Sequence, residues 1–405
     1  MNPPRSARLP PRAAFWAGSA ALFVTLMSAN LPTPLYQVYK QRFGFSNSVL
    51  TLIYATYALV LIPSLLAFGQ LSDRVGRRRV IAMGLGAAAV GDGLFAAAQG
   101  TGWLFAARGV QGLAVGVITG TATAALVELE PRGDRRRAAL GAVLGQASGG
   151  ALGPLLGGVL DQWAPLPRTL SFLVGVLAAV AAGLLVLRIP EPHPPTGKWR
   201  PQIPSVPAEH RAEFFRAGLT AALVWAVGAL FLSVVPAYAG TLLKTKNLAV
   251  LGGISAVALA ATCAAQWFSL RMRVHPDTGQ LAGLLTMVAG LVVLVAANPL
   301  ASPPALVVAA VLAGLGLGMS FVGAQTQINR LAPGQRRGEV TAAFITMVYL
   351  GVSVSAIGVG VLSDVLSRFA GITIVSAVIV AGAIPTALWH ARVGPLAARF
   401  HRGVR

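Results

Sequence analysis

Asp92 and Arg108 are ionisable residues that fall well inside long apolar stretches of the chain. A charge in a hydrocarbon setting is costly, so each is a functional candidate by default. A carboxyl placed there can take up and release a proton. A guanidinium can hold an anion or act on a nearby carboxylate. Asp92 therefore has two readings: a proton carrier, or a fixed partner of Arg108 or helix-packing group. Asn30, Tyr57, Gln111, Gln146, Gln266, Gln325 and Tyr349 add polar groups to other apolar stretches. Amides and phenols in such places contact a ligand or hydrogen-bond between helices. Other chemistry is poorly provided for. Cys263 is the only cysteine, and His193, His210, His275, His390 and His401 are scattered over polar stretches and stretch ends. That gives no disulfide, no metal cluster and no Ser/His/Asp grouping at one depth. No phosphate-cradling Gly-Lys loop is present. No cofactor or metal is expected, and no enzyme.

The elements that must position these residues are set by composition. Of 405 residues, 55% are hydrophobic and 11% are charged, against about 25% charged in soluble proteins. About 20 apolar residues cross the hydrocarbon core as a helix. Twelve stretches qualify, near 13–35, 47–69, 80–99, 103–127, 138–160, 168–188, 215–240, 248–270, 279–298, 304–328, 340–362 and 369–391. They are too long and too evenly apolar for barrel strands. Residues 1–12 are basic and Pro-rich, and the apolar run after them reads as the first span rather than a cleaved signal. With the N-terminus inside, 25 of the 32 Lys and Arg fall in inner loops, 6 fall in outer loops, and Arg108 lies within a span. This bias predicts both termini in the cytoplasm. It also explains the net charge of +20 without a nucleic-acid partner. The partners expected are the lipid bilayer, a small-molecule substrate and protons.

A Pro-rich, charged loop, 191–214, divides the chain into six spans (1–190) and six more (215–405). The halves echo each other. Gly158-Val-Leu-Asp161 closes the fifth span, and Gly360-Val-Leu-Ser-Asp364 closes the eleventh. Internal repeats are a common construction of secondary transporters. The first span ends in Leu31-Pro32-Thr33-Pro34-Leu35-Tyr36, which should break the helix. Tyr36 and Tyr39 are expected in the outer aromatic belt.

Between spans two and three the chain reads Gly69-Gln-Leu71-Ser72-Asp73-Arg74-Val-Gly76-Arg77-Arg78-Arg79. A glycine allows close helix approach, a carboxylate at the membrane edge can meet an arginine or helix N-terminus, and Gly76 permits a tight turn. This loop closely resembles the G-x-L-x-D-R-x-G-R-R signature of the major facilitator superfamily, and the twelve spans and central loop extend the resemblance over the whole chain. It implies two six-helix bundles with pseudo-two-fold symmetry. It also implies a latch of the outward-facing state, carried here by Gly69, Asp73, Arg74, Gly76, Arg77 and Arg78. Glu128 and Glu130, at the end of the fourth span, are candidate partners for Arg74.

Gly149, Gly153, Pro154, Gly157 and Gly158 resemble the superfamily's antiporter motif G-x3-G-P-x2-G-G, with the upstream glycine off by one position at Gly141 or Gly145. That resemblance implies an exporter exchanging substrate for protons. Arg108-Gly-Val-Gln111-Gly112 is similar to the fourth-span motif associated with proton transfer. The fold implied would line a substrate cavity with Asn30, Tyr57, Arg108, Gln111, Gln146, Gln266, Gln325 and Tyr349, and it makes the third span peripheral. Spans one, seven and ten hold no Asp or Glu, which argues against strongly cationic substrates. The expectation is an all-α, twelve-span transporter of the cell inner or plasma membrane, exporting small organic molecules or drugs by proton exchange. Proton-coupled uptake of a metabolite on the same fold is the alternative.

Overall fold

Backbone N–H and C=O groups find no water in lipid, and helices satisfy them within one segment. The computed structural model of the chain accordingly folds its apolar stretches as helices. It describes residues 8–68, 71–191, 205–206, 208–300, 302–332 and 337–393, apart from the side chains at 73, 337 and 338. The helices are α1 Pro11–Asn30, α2 Tyr36–Phe43, α3 Asn47–Phe68, α4 Leu71–Val75, α5 Arg77–Ala96, α6 Thr101–Leu129, α7 Arg135–Trp163 and α8 Leu170–Val186. They continue with α9 Arg211–Ser233, α10 Val235–Leu242, α11 Leu248–Met272, α12 Pro276–Ala296, α13 Pro303–Leu331, α14 Arg337–Val365 and α15 Arg368–Val393. Among the described residues eleven helical segments are long and apolar enough to cross a membrane, and α8, the expected sixth span, is a shorter apolar helix. The protein is an all-α, multi-pass membrane protein. Leu177, Leu184, Val354 and Val378 are exposed. Lipid accepts such surfaces and water does not.

Contacts divide the chain into two units. Unit 1 holds residues 1–44, 56–202 and 248–256; unit 2 holds 45–55, 203–247 and 257–405. Unit 1 is built on Phe15, Leu22, Ile81, Leu85, Ile118 and Leu126. Unit 2 is built on Phe214, Ile328, Phe344 and Val348. Two features recur at an offset of 202 residues. In unit 1, α1 stops at Asn30 and a 3-10 turn, Thr33–Leu35, leads into α2. In unit 2, the expected seventh span stops early, at Ser233, and α10 follows. Pro34 and Pro236 stand at equivalent places, and each lacks the N–H that would bond the carbonyl four residues back, at Asn30 and Leu232, to continue the helix. The second recurrence is a cap. Gln162 Oε1 accepts from Leu248 N at 2.8 Å in unit 1. In unit 2, the Asp364 carboxylate takes four hydrogen bonds of 2.6–2.9 Å from the backbone and side chains of Asn47 and Ser48. Both supply acceptors for the orphan N–H groups that begin a helix.

Candidate functional site

The densest buried polar arrangement in unit 1 joins α1, α5 and α6. Asp92 is fully buried, and Arg108 and Gln111 are each 1% exposed. Ser28 Oγ donates to Asp92 Oδ2 at 2.5 Å, and Gln111 Nε2 donates to Asp92 Oδ1 at 3.0 Å. Gln111 Oε1 in turn accepts from Arg108 Nη1 at 3.0 Å. The amide thus stands between the carboxylate and the guanidinium and bonds to both. The end of α1 completes the arrangement. Pro32 has no N–H to give the Ser28 carbonyl, four residues back. Gln111 Nε2 supplies that bond at 3.0 Å, and Arg108 Nη1 donates to Ala29 O at 2.6 Å. The Arg108 guanidinium also lies over the rings of Tyr36 (5.3 Å) and Tyr57 (5.6 Å). Such contacts stabilise a desolvated cation.

Glycines make room for this set. A Cβ at Gly175 would strike the Asp92 carboxylate, and one at Gly91 would sit 2.8 Å from Gln111 Cγ. Asp92, well inside the expected third span, lies near one end of its helix. Helix α5 ends at Ala96, so Asp92 lies about one turn from the arginine-poor end of unit 1. Tyr36 and Tyr39, expected in an interfacial belt, are 1% and 2% exposed. The break after α1 turns them inward, onto Arg108 and Phe95.

The glycines of α7 lie along α1. Cβ atoms at Gly145, Gly149, Gly153 and Gly157 would meet the carbonyls of Ser19, Phe23, Met27 and Leu31. Gly141, one of the two upstream candidates, meets the Phe15 ring, and Gly158 instead meets Leu248. Asn30 touches Gly153, and its amide bonds back to Leu26 O. Gln146 is half-buried on α7. Gln266, Gln325 and Tyr349 belong to unit 2; Gln266 is buried, and the other two are half-buried.

At the arginine-rich end of unit 1, Gly76 has φ +102°, a region open chiefly to glycine. Gly69 and the Asp73 side chain lie outside the described residues. Glu128, considered above as a partner for Arg74, pairs with Arg77 at 3.2 Å; Arg74 is exposed. Arg77 begins α5 and also reaches Ser72 Oγ. Glu130 accepts from the backbone N–H of Arg132 and Asp134 and so shapes the loop before α7. Sequence reasoning missed Glu191. Its carboxylate seats against Gly76, where a Cβ would come within 2.8 Å, and accepts from Arg78 N at 3.4 Å. The available signal was a lone acid just after the sixth span, facing a run of arginines. Also missed was a buried cluster in unit 2. Asp277 Oδ1 meets Arg216 Nη2 and His390 Nδ1, each at 3.1 Å, and His390 Nε2 lies 3.0 Å from Thr220 Oγ1. The residues come from α9, α12 and α15, too far apart in sequence for spacing to show them. Among the described residues no group of three His, Cys, Asp or Glu could hold a metal ion.

A family profile described as Major Facilitator Superfamily matches residues 18–356. An uncharacterised MFS-type transporter of Mycobacterium tuberculosis is 31% identical over 226 residues, covering 52% of this chain and 34% of that protein. The chain thus spans about a third of the length of that curated relative. Among solved structures, a bacterial homologue of the human lysosomal transporter Spinster, inward-facing and unoccupied, aligns with a TM-score of 0.70 at 17% identity. The alignment covers 94% of this chain and 96% of that one. The human organic anion transporter MFSD10 aligns with a TM-score of 0.67 at 17% identity, over 94% and 100% of the two chains.

Proposed function

The chain belongs to the Major Facilitator Superfamily, and on that premise we propose that it is a secondary transporter exporting small organic molecules in exchange for protons. The observation that carries the coupling is the buried Asp92 carboxyl, bonded by Ser28 and Gln111 and linked through Gln111 to Arg108. A proton bound at Asp92 cancels one of two buried charges and alters the hydrogen bonds that join α1, α5 and α6. Proton uptake is thereby tied to helix packing, which alternating access requires. Export is supported by the resemblance of Gly149–Gly158 to the antiporter motif. The absence of Asp and Glu from spans one, seven and ten favours neutral, anionic or zwitterionic substrates, and the alignment with an organic anion transporter agrees with that class. In this reading residues 1–190 rock against 215–405, both termini face the cytoplasm, and the loop at Gly69–Arg79 latches the outward-facing state.

The test uses everted membrane vesicles holding a respiration-driven proton gradient. A pH-sensitive dye follows the gradient as antibiotics, dyes, amino acids and sugars are added, against vesicles lacking the protein. Protein-dependent collapse of the gradient on adding a compound is the expected result, and Asp92→Asn should remove it. Uptake of a metabolite driven into right-side-out cells by an inward proton gradient would instead establish the symporter.

A further inference from the structure

We propose that His390 and Asp277 form a second proton-binding site, in unit 2, which loads from the end where α9 and α12 begin and α15 ends. The site stands apart from Asp92 and does not rest on the coupling reading above. His390 Nδ1 lies 3.1 Å from Asp277 Oδ1, and the His390 side chain is fully buried. His390 Nε2 lies 3.0 Å from Thr220 Oγ1. Carboxylate, imidazole and hydroxyl in this order have the connectivity of a nucleophilic triad. Thr220 rules that chemistry out. It is fully buried, and its hydroxyl donates to Arg216 O at 2.9 Å, so no acyl group can reach it. What the arrangement can bind is a proton.

The threonine fixes the ring. Its single hydroxyl proton goes to the carbonyl one turn back in its own helix, as threonines in helices commonly arrange. Toward His390 it can only accept, so Nε2 carries a proton and donates. Nδ1 then faces a carboxylate oxygen, and two acceptors at that distance repel unless a further proton lies between them. That proton makes the ring an imidazolium against the carboxylate. Arg216 Nη2 holds the same Asp277 oxygen at 3.1 Å and lies over the Trp389 ring at 5.9 Å, so Asp277 keeps a countercharge when the proton leaves. Access is through Asp277, whose side chain is 17% exposed; half-exposed His275 lies 3.9 Å from its other oxygen. A proton that lands on the carboxylate crosses one hydrogen bond: the O–H bond breaks as the Nδ1–H bond forms, and the carboxylate is restored. The charged and titratable groups facing His390 are thus Arg216 from α9, Asp277 from α12 and, one step further out, His275. Helix α14 also packs on α15. It carries Glu339 in its first turn, half-buried, with no ion pair to His390 among the described residues. The bound proton ties α15 to α12, while Arg216 holds α9 to α12 in either state. Unit 2 thereby registers the acidity of the solution at that end.

The test is nitrogen NMR of the full-length protein in lipid nanodiscs, with its histidine rings isotopically labelled. The His390 signals are those that His390→Gln removes. If that variant fails to assemble, single glutamine substitutions of His193, His210, His275 and His401 assign the other rings and leave the remaining signals to His390. As the pH is raised, His390 should lose its Nδ1–H signal and keep its Nε2–H signal. Thr220→Val removes the hydroxyl and keeps the shape. It should move the proton of the neutral ring from Nε2 to Nδ1, where Asp277 is the acceptor that remains. A His390 ring whose protonation is the same at every pH at which the protein stays folded overturns the site. Loss of Nε2–H in place of Nδ1–H in the native protein also overturns it, because Thr220 then does not fix the ring.

Discussion

Asp92 and Arg108 are two buried charges that share one amide, and their energies should be coupled. Removing one member of a buried pair leaves the other uncompensated, at a cost of about 3–5 kcal/mol. Arg108→Ala should therefore lower thermal stability in detergent sharply, because it also opens the space between Tyr36 and Tyr57. Asp92→Asn should cost less, since an amide of the same shape still bonds Ser28 and Gln111, and the Arg108 cation that loses its countercharge keeps the Ala29 carbonyl, Gln111 and the rings of Tyr36 and Tyr57. The double variant Arg108→Ala/Asp92→Asn should be more stable than Arg108→Ala alone, because no bare carboxylate remains. A double-mutant cycle on unfolding midpoints measures this coupling, and strict additivity would mean that the two charges do not sense each other. The sequence marked both residues, because a charge inside an apolar span is conspicuous. It could not show that Gln111 joins them, since that depends on how α1, α5 and α6 pack to bring Ser28, Asp92 and Gln111 together.

At the scale of elements, the α1–α7 contact in unit 1 turns on which glycines touch backbone. Gly149 lies against the Phe23 carbonyl, whereas Gly150, next to it, has nothing within 4 Å of its Cβ direction. Gly149→Val should cost about 1–3 kcal/mol through overpacking. Gly150→Ala should be neutral or stabilising by up to about 1 kcal/mol, because alanine favours helix. Unfolding midpoints of the two purified variants make the comparison, and equal effects would refute the directional contact. The glycine stripe was readable in advance because i, i+4 spacing places small residues on one helical face. The inward turn of Tyr36 and Tyr39 was not. The aromatic-belt reading assumed one continuous span, and the proline break after α1 redirects the chain. Eleven of the expected spans were legible for a simpler reason: apolar length alone decides them, even where α9 stops at Ser233, while α8, the expected sixth, is a shorter apolar helix.

For the whole molecule, the arginine-rich loop ties the proposed latch to the proposed motion. In unit 1, Arg77 holds Glu128 while Glu191 seats against Gly76 and the backbone of Arg78. The start of α5 is thus gripped from both α6 and the segment after α8. A latch must release as well as hold, so the change expected from weakening it is in transport rather than in folding. Asp73→Asn removes a charge from this loop without changing its shape. It should abolish or sharply reduce substrate-dependent proton movement in everted vesicles, while leaving the amount of protein in the membrane and its unfolding midpoint near native. Glu191→Gln provides an independent arm, because its carboxylate bears on the same turn from the other side, and it should reduce transport in the same assay. Gly76→Ala is the steric counterpart: its φ of +102° and the nearby carboxylate both oppose a side chain, so it should lose stability as well as transport. Native transport in Asp73→Asn, with the protein fully inserted, would remove the latch from the mechanism. The arginines would then serve only to fix orientation in the bilayer, as the positive-inside bias alone would have them do.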